Sequence, residues 1–482
     1  ALSEAAASGA AAETAGSPTD LSALGQLLLG PAAGLLVWFL PLGLEPRIQQ
    51  AYAIVLFMIV YWIAEPVEHA VTALIGCYLF WALGVVQFST AFSGFASTSP
   101  WFIFGGALIA EAASSTGLAR RLGYRVLSLI GTSYSRLLLG VTTLSFLITC
   151  LIPSGSARLT IIASMLIGII TASGSGANGN LGRGLFLVVT ATCGLFDKMI
   201  LAGAGSILTH GILKEQTGIE VLWSQWFIAF LPAALLTIPA CWLIVLRLYP
   251  PDRAESPQSR EYLHQTLREM GSLSAQEKKV LAVVGAAIAL WATDFIHHLD
   301  PTAIGLGAGL ALALPRVGVL NADAVKKINF LHLAFAAGAI SLANVLIQTR
   351  ALAAVNGIFM ETIGPLLSNA FFSSIALYWG GVLYHFIFPG NQALLTTSLP
   401  VLLHVSDGAG YNPVAVALIW AFSGGGTLFP FQSPVLVLGY SYGYFSARDL
   451  VKINLILAVV EGILLMALVP LYWPLIGLHW IK

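Results

Sequence analysis

The sequence predicts an all-α membrane protein with many spanning helices. Of its 482 residues, 57% are hydrophobic and only 9% are charged, and the mean hydropathy is +0.86. An ordinary soluble domain carries about 25% charged residues, so most of this chain must face lipid or other buried helices. Because a spanning helix needs about 20 apolar residues, the apolar stretches predict about eleven spans and some segments that enter the bilayer without crossing it.

Charge and motif content exclude several classes of protein. The formal net charge is zero, so no overall field attracts nucleic acid, and no nucleic-acid partner is expected. The four cysteines lie in apolar runs without CxxC spacing and are interpreted as small buried side chains. The Gly-rich stretch 173–184 has GxGxxG-like spacing but follows no strand, so we interpret it as a loop; the sequence also lacks a Walker motif for ATP.

Polar stretches divide the chain into four parts. Residues 1–20 are rich in Ala, Ser and Gly and are expected to form a disordered tail. A first half, 21–248, and a second half, 280–482, flank the polar connector 249–279, which is expected to be partly helical. Basic residues in the connector and in 119–136 place both on the cytoplasmic side. The latter pattern fits either a helix on the membrane surface or a plain loop.

The two halves resemble each other. Similar apolar stretches lead to Thr116 in the first half and Thr349 in the second, 233 positions apart. Each is followed by a polar interruption, and Ser154 and Gly390 at these interruptions are 236 positions apart. The near-constant offset indicates a duplicated unit. In membranes, such a duplication commonly gives inverted repeats with the substrate site between them.

The two interruptions predict re-entrant hairpins with tips at 153–158 and 389–397. Non-helical backbone at membrane depth must be buried in protein or line a wet cavity. A helix is expected to start at each tip, and helix N-termini carry about half a positive charge and bind anions. Two facing tips would hold a molecule with two negative ends. The alternative is a pair of ordinary turns, with Ser154 and Asn391 as N-caps.

Each half also contains a second interruption, at 194–211 and at 423–440. Both stretches combine several glycines, and the second adds Pro430 and Pro434. These residues predict two discontinuous helices that complete the site. Kinked but unbroken helices are the alternative.

Two stretches carry a resemblance to a known family. YWIAEPVEHAVTALIG, 61–76, resembles the second and third spans of the divalent-anion/sodium symporter (DASS) family, which carries dicarboxylates, citrate and sulfate. LFPFQSPVLVLGYSYGYFSARDLVKI, 428–453, is similar to that family's second unwound helix. The similarity covers most of 50–475. It implies a homodimer in a bacterial inner membrane, with a scaffold domain and a transport domain that moves as an elevator.

The resemblance also implies the site residues, because the family's tips usually read Ser-Asn-Thr. Arg158, the charged residue beside the first tip, is added to this set. The expected substrate-binding residues are then Ser154, Gly155, Ser156, Arg158, Gly390, Asn391, Gln392, Gln432, Ser433 and Pro434. The family's tips and nearby carbonyls also hold sodium. The candidates for a cation-binding or cation-replacing role are Cys150, Lys198, Gly203, Ala204 and His385.

This sequence departs from the family pattern at the first tip. Gly155 stands where the family has Asn, the charged Arg158 follows one turn on, and Lys198 lies in the first predicted broken helix. A fixed cation in a low-dielectric cavity can replace the charge of sodium. Arg158 could instead be the partner of a scaffold carboxylate or a residue at a helix end whose charge reaches the membrane surface. Lys198 is expected to pair with Asp197. Arg158→Ala is expected to abolish transport without unfolding the protein.

The sequence therefore predicts a secondary active transporter of a small organic dianion or trianion, with a C4-dicarboxylate as the first candidate. Anion exchange or weak sodium dependence is expected, and strictly sodium-coupled transport of di- or tricarboxylates or sulfate is the alternative. An anion channel and an intramembrane enzyme are distant alternatives, and an enzyme would need a catalytic set such as HExxH, which is absent from the sequence. The expected partners are the anion and the lipid bilayer. No cofactor is expected, with sodium as the one candidate coupling ion.

Overall fold

The computed structural model describes residues 21–150, 152, 154–174, 179–251, 257–352, 367, 369–388 and 390–481, and only the backbone of 21–24 and 257. The predicted disordered tail, 1–20, lies outside the described residues. So do Pro153 and Pro389 at the two predicted tips.

The described residues form helices joined by turns. The main helices of the first half are α1 (Leu21–Phe39), α2 (Pro46–Ala64), α3 (His69–Ala82), α4 (Thr98–Ser115), α5 (Leu118–Ile130), α6 (Tyr134–Thr149), α7 (Gly155–Ala172), α8 (Asn180–Leu195), α9 (Ala204–Thr217) and α10 (Trp223–Leu248). Those of the connector and second half are α11 (Pro257–Glu269), α12 (Ala275–Ala292), α13 (Pro301–Ala313), α14 (Phe330–Gln348), α15 (Ala370–Tyr384), α16 (Asn391–Gly408), α17 (Pro413–Ser423), α18 (Pro434–Ser441) and α19 (Ala447–Ala467).

Helix lengths confirm a membrane protein without fixing the number of spans. Within the described residues, five helices are long and apolar enough to cross a bilayer: α2, α7, α10, α14, and α19 with its continuation to Ile476. The pair α4 and α5, bent by 69° at its break, would make a sixth. Shorter apolar helices, including α6, α15 and α17, add to these. Eleven spans therefore remain a prediction.

The two halves place the same elements in the same order. In each, a helix–turn–helix unit, α6–α7 or α15–α16, precedes a helix that breaks, α8 or α17. Thr116 and Thr349 are both C-caps whose hydroxyls donate to the carbonyl four residues earlier, at 2.7 Å and 2.8 Å. Ser154 and Gly390 are both N-caps. These equivalent positions support a duplicated unit, and its inverted orientation remains a prediction.

Polar side chains fix where the site helices begin. Ser154 accepts a hydrogen bond from the backbone N–H of Ala157 at 3.3 Å. Ser433 caps α18 in the same way through the N–H of Val435, also at 3.3 Å. An N-cap of this kind contributes typically about 1 kcal/mol, because it satisfies one of the free N–H groups of the first turn. Both serines therefore specify helix starts beside non-helical backbone.

Elements of the two halves interlock around the breaks. α9 packs against α16, and α18 packs against both α7 and α8. Phe230 of α10 stacks on Phe422 of α17, with ring centroids 5.1 Å apart. Tyr378 of α15 donates to the carbonyl of Ala458 of α19 at 2.8 Å. The breaks in α8 and α17 consequently lie inside the protein and not at its edge.

The connector contains helix α11, as predicted. Arg121 of α5 forms hydrogen bonds to the backbone just after the C-terminus of this helix. The guanidinium is 5% exposed and donates from Nε to Glu277 Oε1 at 2.6 Å. It also donates to the carbonyls of Gly271 and Met270 at 2.7 Å and 2.8 Å. The stretch 119–136 thus contains a helix, and its place on the membrane surface remains a prediction.

Replacing Arg121 with Ala is expected to lower the free energy of unfolding by about 3–5 kcal/mol, because it leaves the buried carboxylate of Glu277 unpaired. Thermal unfolding in detergent measures the effect. Arg120→Ala is the matched control, since Arg120 is exposed, and its melting temperature should be unchanged. Equal melting temperatures for the two variants would contradict the assignment.

Candidate functional site

The first tip is packed against the second half. α7 begins at Gly155, as predicted, after the exposed N-cap Ser154. A Cβ on Gly155 would lie 2.7 Å from Cγ2 of Val435 and 3.1 Å from the carbonyl oxygen of Cys193. The first distance is shorter than real Cβ contacts, and the second would require the carbonyl to shift. An Asn at this position, as in the family, would therefore crowd Val435 at the start of α18.

Arg158 links the first tip to the end of α8. Its side chain is 0% exposed and donates to the carbonyls of Ile152 and Cys193, at 2.6 Å each. A third bond, of 2.8 Å, joins it to Oδ1 of Asp197. Among the roles that the sequence left open for Arg158, the structure shows a carboxylate partner, Asp197.

The first predicted break lies between α8 and α9. α8 ends at Leu195, a 3-10 turn covers Phe196–Lys198, and α9 begins at Ala204 after its N-cap Gly203. A Cβ on Gly203 would overlap the carbonyl oxygen of Asp197, and Ser206 donates to the same oxygen at 3.0 Å. Glycine is required here because the chain folds back on itself.

The predicted pairing of Lys198 with Asp197 is wrong. Lys198 donates from Nζ to Oε2 of Glu461 on α19 at 2.6 Å, and both side chains are 1% exposed. Successive residues in a 3-10 turn are about 120° apart around the axis, so neighbouring side chains point away from each other. Arg158 and Lys198 are thus both neutralised by carboxylates within the protein. Neither is the free fixed cation that the sequence suggested as a replacement for sodium.

The second tip also begins a helix at the predicted residue. Gly390 has φ +91° and precedes α16, which starts at Asn391. This left-handed backbone favours glycine. The Gly390 N–H donates to the carbonyl of Gln432 at 2.9 Å. Gln392, the next tip residue, is half-buried.

Asn391 fills the space between the two breaks. A Cβ on Gly205 would overlap its Nδ2, and a Cβ on Gly424 would overlap its Oδ1. Its Oδ1 is buried and has no hydrogen-bond partner among the described residues. One side chain from the second tip thus contacts the broken helix of each half.

The second predicted break lies between α17 and α18. α17 ends at Ser423, and α18 begins at Pro434. Gln432 organises the backbone between them: its Oε1 accepts from the N–H groups of Leu428 and Phe429 at 2.6 Å and 2.8 Å. Its Nε2 donates to the carbonyl of His385 at 3.1 Å. Gln432 is 0% exposed, so it positions the segment, whereas Ser433 is only half-buried and Pro434 is exposed.

The remaining cation candidates have apolar or closed surroundings. His385 is 0% exposed, and neither ring nitrogen has a partner among the described residues. Cys150 lines a narrow crevice with Ala202 and Phe102. The part of the chain that is described contains no group of three or more His, Cys, Asp and Glu residues able to hold a metal ion. The sodium site therefore remains a prediction.

The contacts bring three helix starts to one segment and a fourth, that of α9, to the adjacent Asn391. Gly155 at the start of α7 meets Val435 at the start of α18. Gly390, just before α16, binds the backbone of Gln432. Asn391 meets Gly205 at the start of α9. Free N–H groups and partial positive charge are thereby concentrated around 432–435, which is an arrangement suited to an anion.

Sequence comparison finds transporters among the relatives of this chain, and structure comparison finds a solved protein with the same fold. The putative malate transporter YflS of Bacillus subtilis is 26% identical to this chain, over 94% of this chain and 96% of its own length. The citrate/succinate antiporter of Escherichia coli K12 is 24% identical, over 94% and 98%. The solved YdaH transporter of Alcanivorax borkumensis, 16% identical, shares the fold with a TM-score of 0.56 over 83% of this chain and 89% of that one.

The family described as the sodium:sulfate symporter transmembrane region matches residues 22–479. This match covers nearly the whole sequence, including both tips and both broken helices. Together with the apolar helices, it confirms the integral membrane protein and the family resemblance predicted from the sequence. The chain therefore belongs to the sodium:sulfate symporter family, whose members are membrane transporters and not enzymes.

Proposed function

We propose that this protein transports small organic anions with two or three negative charges, with C4-dicarboxylates such as succinate and malate as the first substrates to test. One observation carries this proposal: the starts of α7, α16 and α18 meet around 432–435, and Asn391 joins the start of α9 to them. Helix N-termini stabilise anions through their free N–H groups and dipoles. The names of the relatives, a malate transporter and a citrate/succinate antiporter, support the same class of substrate.

The accessible polar groups at this place suit carboxylates. Ser154 is exposed, and Ser156, Gln392 and Ser433 are half-buried, so their hydroxyl and amide groups can donate to carboxylate oxygens. Arg158 and Gln432 are fully buried and hold the backbone on which these donors stand. We therefore assign binding to the first set and positioning to the second.

Exchange of one anion for another is the transport mode that we propose. Arg158 and Lys198, the buried cations of the site, are each paired with a carboxylate. They therefore do not compensate the negative charge of a bound anion. When the transporter returns across the membrane with a second anion, the charge of the first is offset without a coupling cation. A homodimer with an elevator-like transport domain, in a bacterial inner membrane, completes the proposal by analogy with the family.

Sodium symport is the second candidate, and the description of the matched family as a sodium:sulfate symporter favours it. Proteoliposomes separate the two candidates. Vesicles loaded with unlabelled succinate should accumulate labelled succinate at comparable rates in sodium and in choline buffer. Uptake that requires sodium would instead establish symport. A channel would only equilibrate the label.

A further inference from the structure

Lys198 connects the two breaks in a way that the proposed site does not use. Its backbone belongs to the first break, where its carbonyl accepts from Nε1 of Trp226 at 3.1 Å. Its side chain ends in the second half, with Nζ 4.2 Å from the ring centroid of Phe422. A Cβ on Gly425 would overlap the same ammonium group. The lysine side chain therefore spans from one break to the other.

Glu461 fixes the charged end of this span. Its Oε2 accepts from Lys198 Nζ at 2.6 Å and lies 3.4 Å from the hydroxyl of Tyr378. Its Oε1 is buried and has no hydrogen-bond partner among the described residues. The pair thus joins the first break to α15 and α19.

A pair buried this completely gives little net stability. Removing two charges from water costs about as much as their attraction returns, and apolar replacements of similar volume are often as stable. A directed ion pair can instead select one geometry over others. Here the paired ammonium of Lys198 lies against Gly425, while its backbone belongs to the first break.

We propose that Lys198 and Glu461 are positioning residues that hold the first break at a fixed distance from the second, and so set the spacing of the helix starts that receive the anion. This inference rests on the proposed function for its affinity readout. Neither residue is assigned a contact with the anion. The pair acts through the backbone of the two breaks.

A double replacement separates positioning from stability. K198M or E461M alone leaves a buried charge unpaired and should lower the melting temperature. K198M/E461M removes both charges and should restore the melting temperature close to that of the unmodified protein. Its succinate affinity, measured by thermal shift, and its KM for counterflow should nevertheless be about tenfold weaker, equal to about 1.4 kcal/mol. Unchanged affinity in a stable double variant would overturn the proposal.

E461D decides the question if the double variant does not fold. Aspartate keeps the charge but is one methylene shorter, so the pair can form only if the break shifts. We expect a folded protein with a raised KM, and a KM equal to that of the unmodified protein would refute the role. E111D is the matched control, because Glu111 lies on α4 outside the site, and its KM should not change.

Hydrogen exchange provides a readout that needs no ligand. Backbone amides of 199–203 and 424–429 should exchange faster in K198M/E461M than in the unmodified protein, because their relative position is less restrained. Equal exchange rates would count against positioning. If the unmodified protein shows no shift with succinate or other carboxylates, the proposed function fails, and the exchange rates still test the inference.

Discussion

Arg158→Lys is expected to abolish anion transport nearly as completely as Arg158→Ala. The planar guanidinium reaches the carbonyls of Ile152 and Cys193 and the carboxylate of Asp197 at once. A lysine keeps the positive charge but has one terminal nitrogen, which cannot reproduce this three-way geometry. Counterflow of labelled succinate in proteoliposomes measures the loss.

The lysine variant separates two roles of Arg158. If the charge itself binds the anion, Arg158→Lys should retain much of the activity. If Arg158 positions the first tip, both variants should be inactive while still eluting as folded protein. Arg158→Ala should also unfold more easily, by about 3–5 kcal/mol, because Asp197 loses its partner. Normal transport by Arg158→Ala would remove Arg158 from the site altogether.

Gly424→Ala is expected to inactivate the transporter through Asn391. The backbone at Gly424 is helical, with φ −61°, so alanine fits the backbone conformation. Its methyl group, however, would overlap Oδ1 of Asn391. Because interiors are close-packed, the asparagine must move or the break must open, at about 1–3 kcal/mol. Anion binding by thermal shift and counterflow should both be lost.

Gly194→Ala is the matched control for this substitution. Gly194 lies in α8 close to the first break, and a Cβ there would have no atom within 4 Å. Alanine in a helix is favoured over glycine by about 1 kcal/mol, so this variant should transport normally and melt slightly higher. Equal activity of Gly424→Ala and Gly194→Ala would show that Asn391 has no role at the site.

The helix starts and breaks could be predicted from sequence because local residues determine them. Ser154, Gly390 and Pro434 specify turns and first helical turns through their own backbone and side-chain chemistry. The tip helices consequently begin where the sequence placed them. The count of spans could not be fixed, because apolar helices of 15 or 16 residues, such as α15 and α6, are shorter than a bilayer requires.

The long-range pairing of Lys198 with Glu461 could not be predicted from the sequence. Lys198 and Glu461 are separated by 263 positions, and the adjacent Asp197 is the nearer carboxylate in sequence. One signal was present: an ionisable residue within an apolar helix, such as Glu461, normally has a partner. Sequence alone does not say which one.

The reason for the glycines of the second break could not be predicted from the sequence either. Their clustering predicted an interruption, but three separate contacts explain it. A Cβ on Gly424, Gly425 or Gly426 would overlap Asn391, Lys198 or Val382, respectively. The glycines are therefore needed for close approach of side chains from other helices, which only the folded structure displays.

The central claim is that an anion binds at the gathered helix starts, and labelling of single introduced cysteines with and without the anion tests it most directly. The half-buried Cys150 is first replaced so that it does not react. S154C and S433C place a thiol at two of the gathered helix starts, and S446C places one at the exposed N-cap of α19. Succinate should slow thiol labelling at 154 and 433 and leave 446 unchanged. Equal labelling rates with and without succinate at 154 and 433 would contradict an anion site at these helix starts.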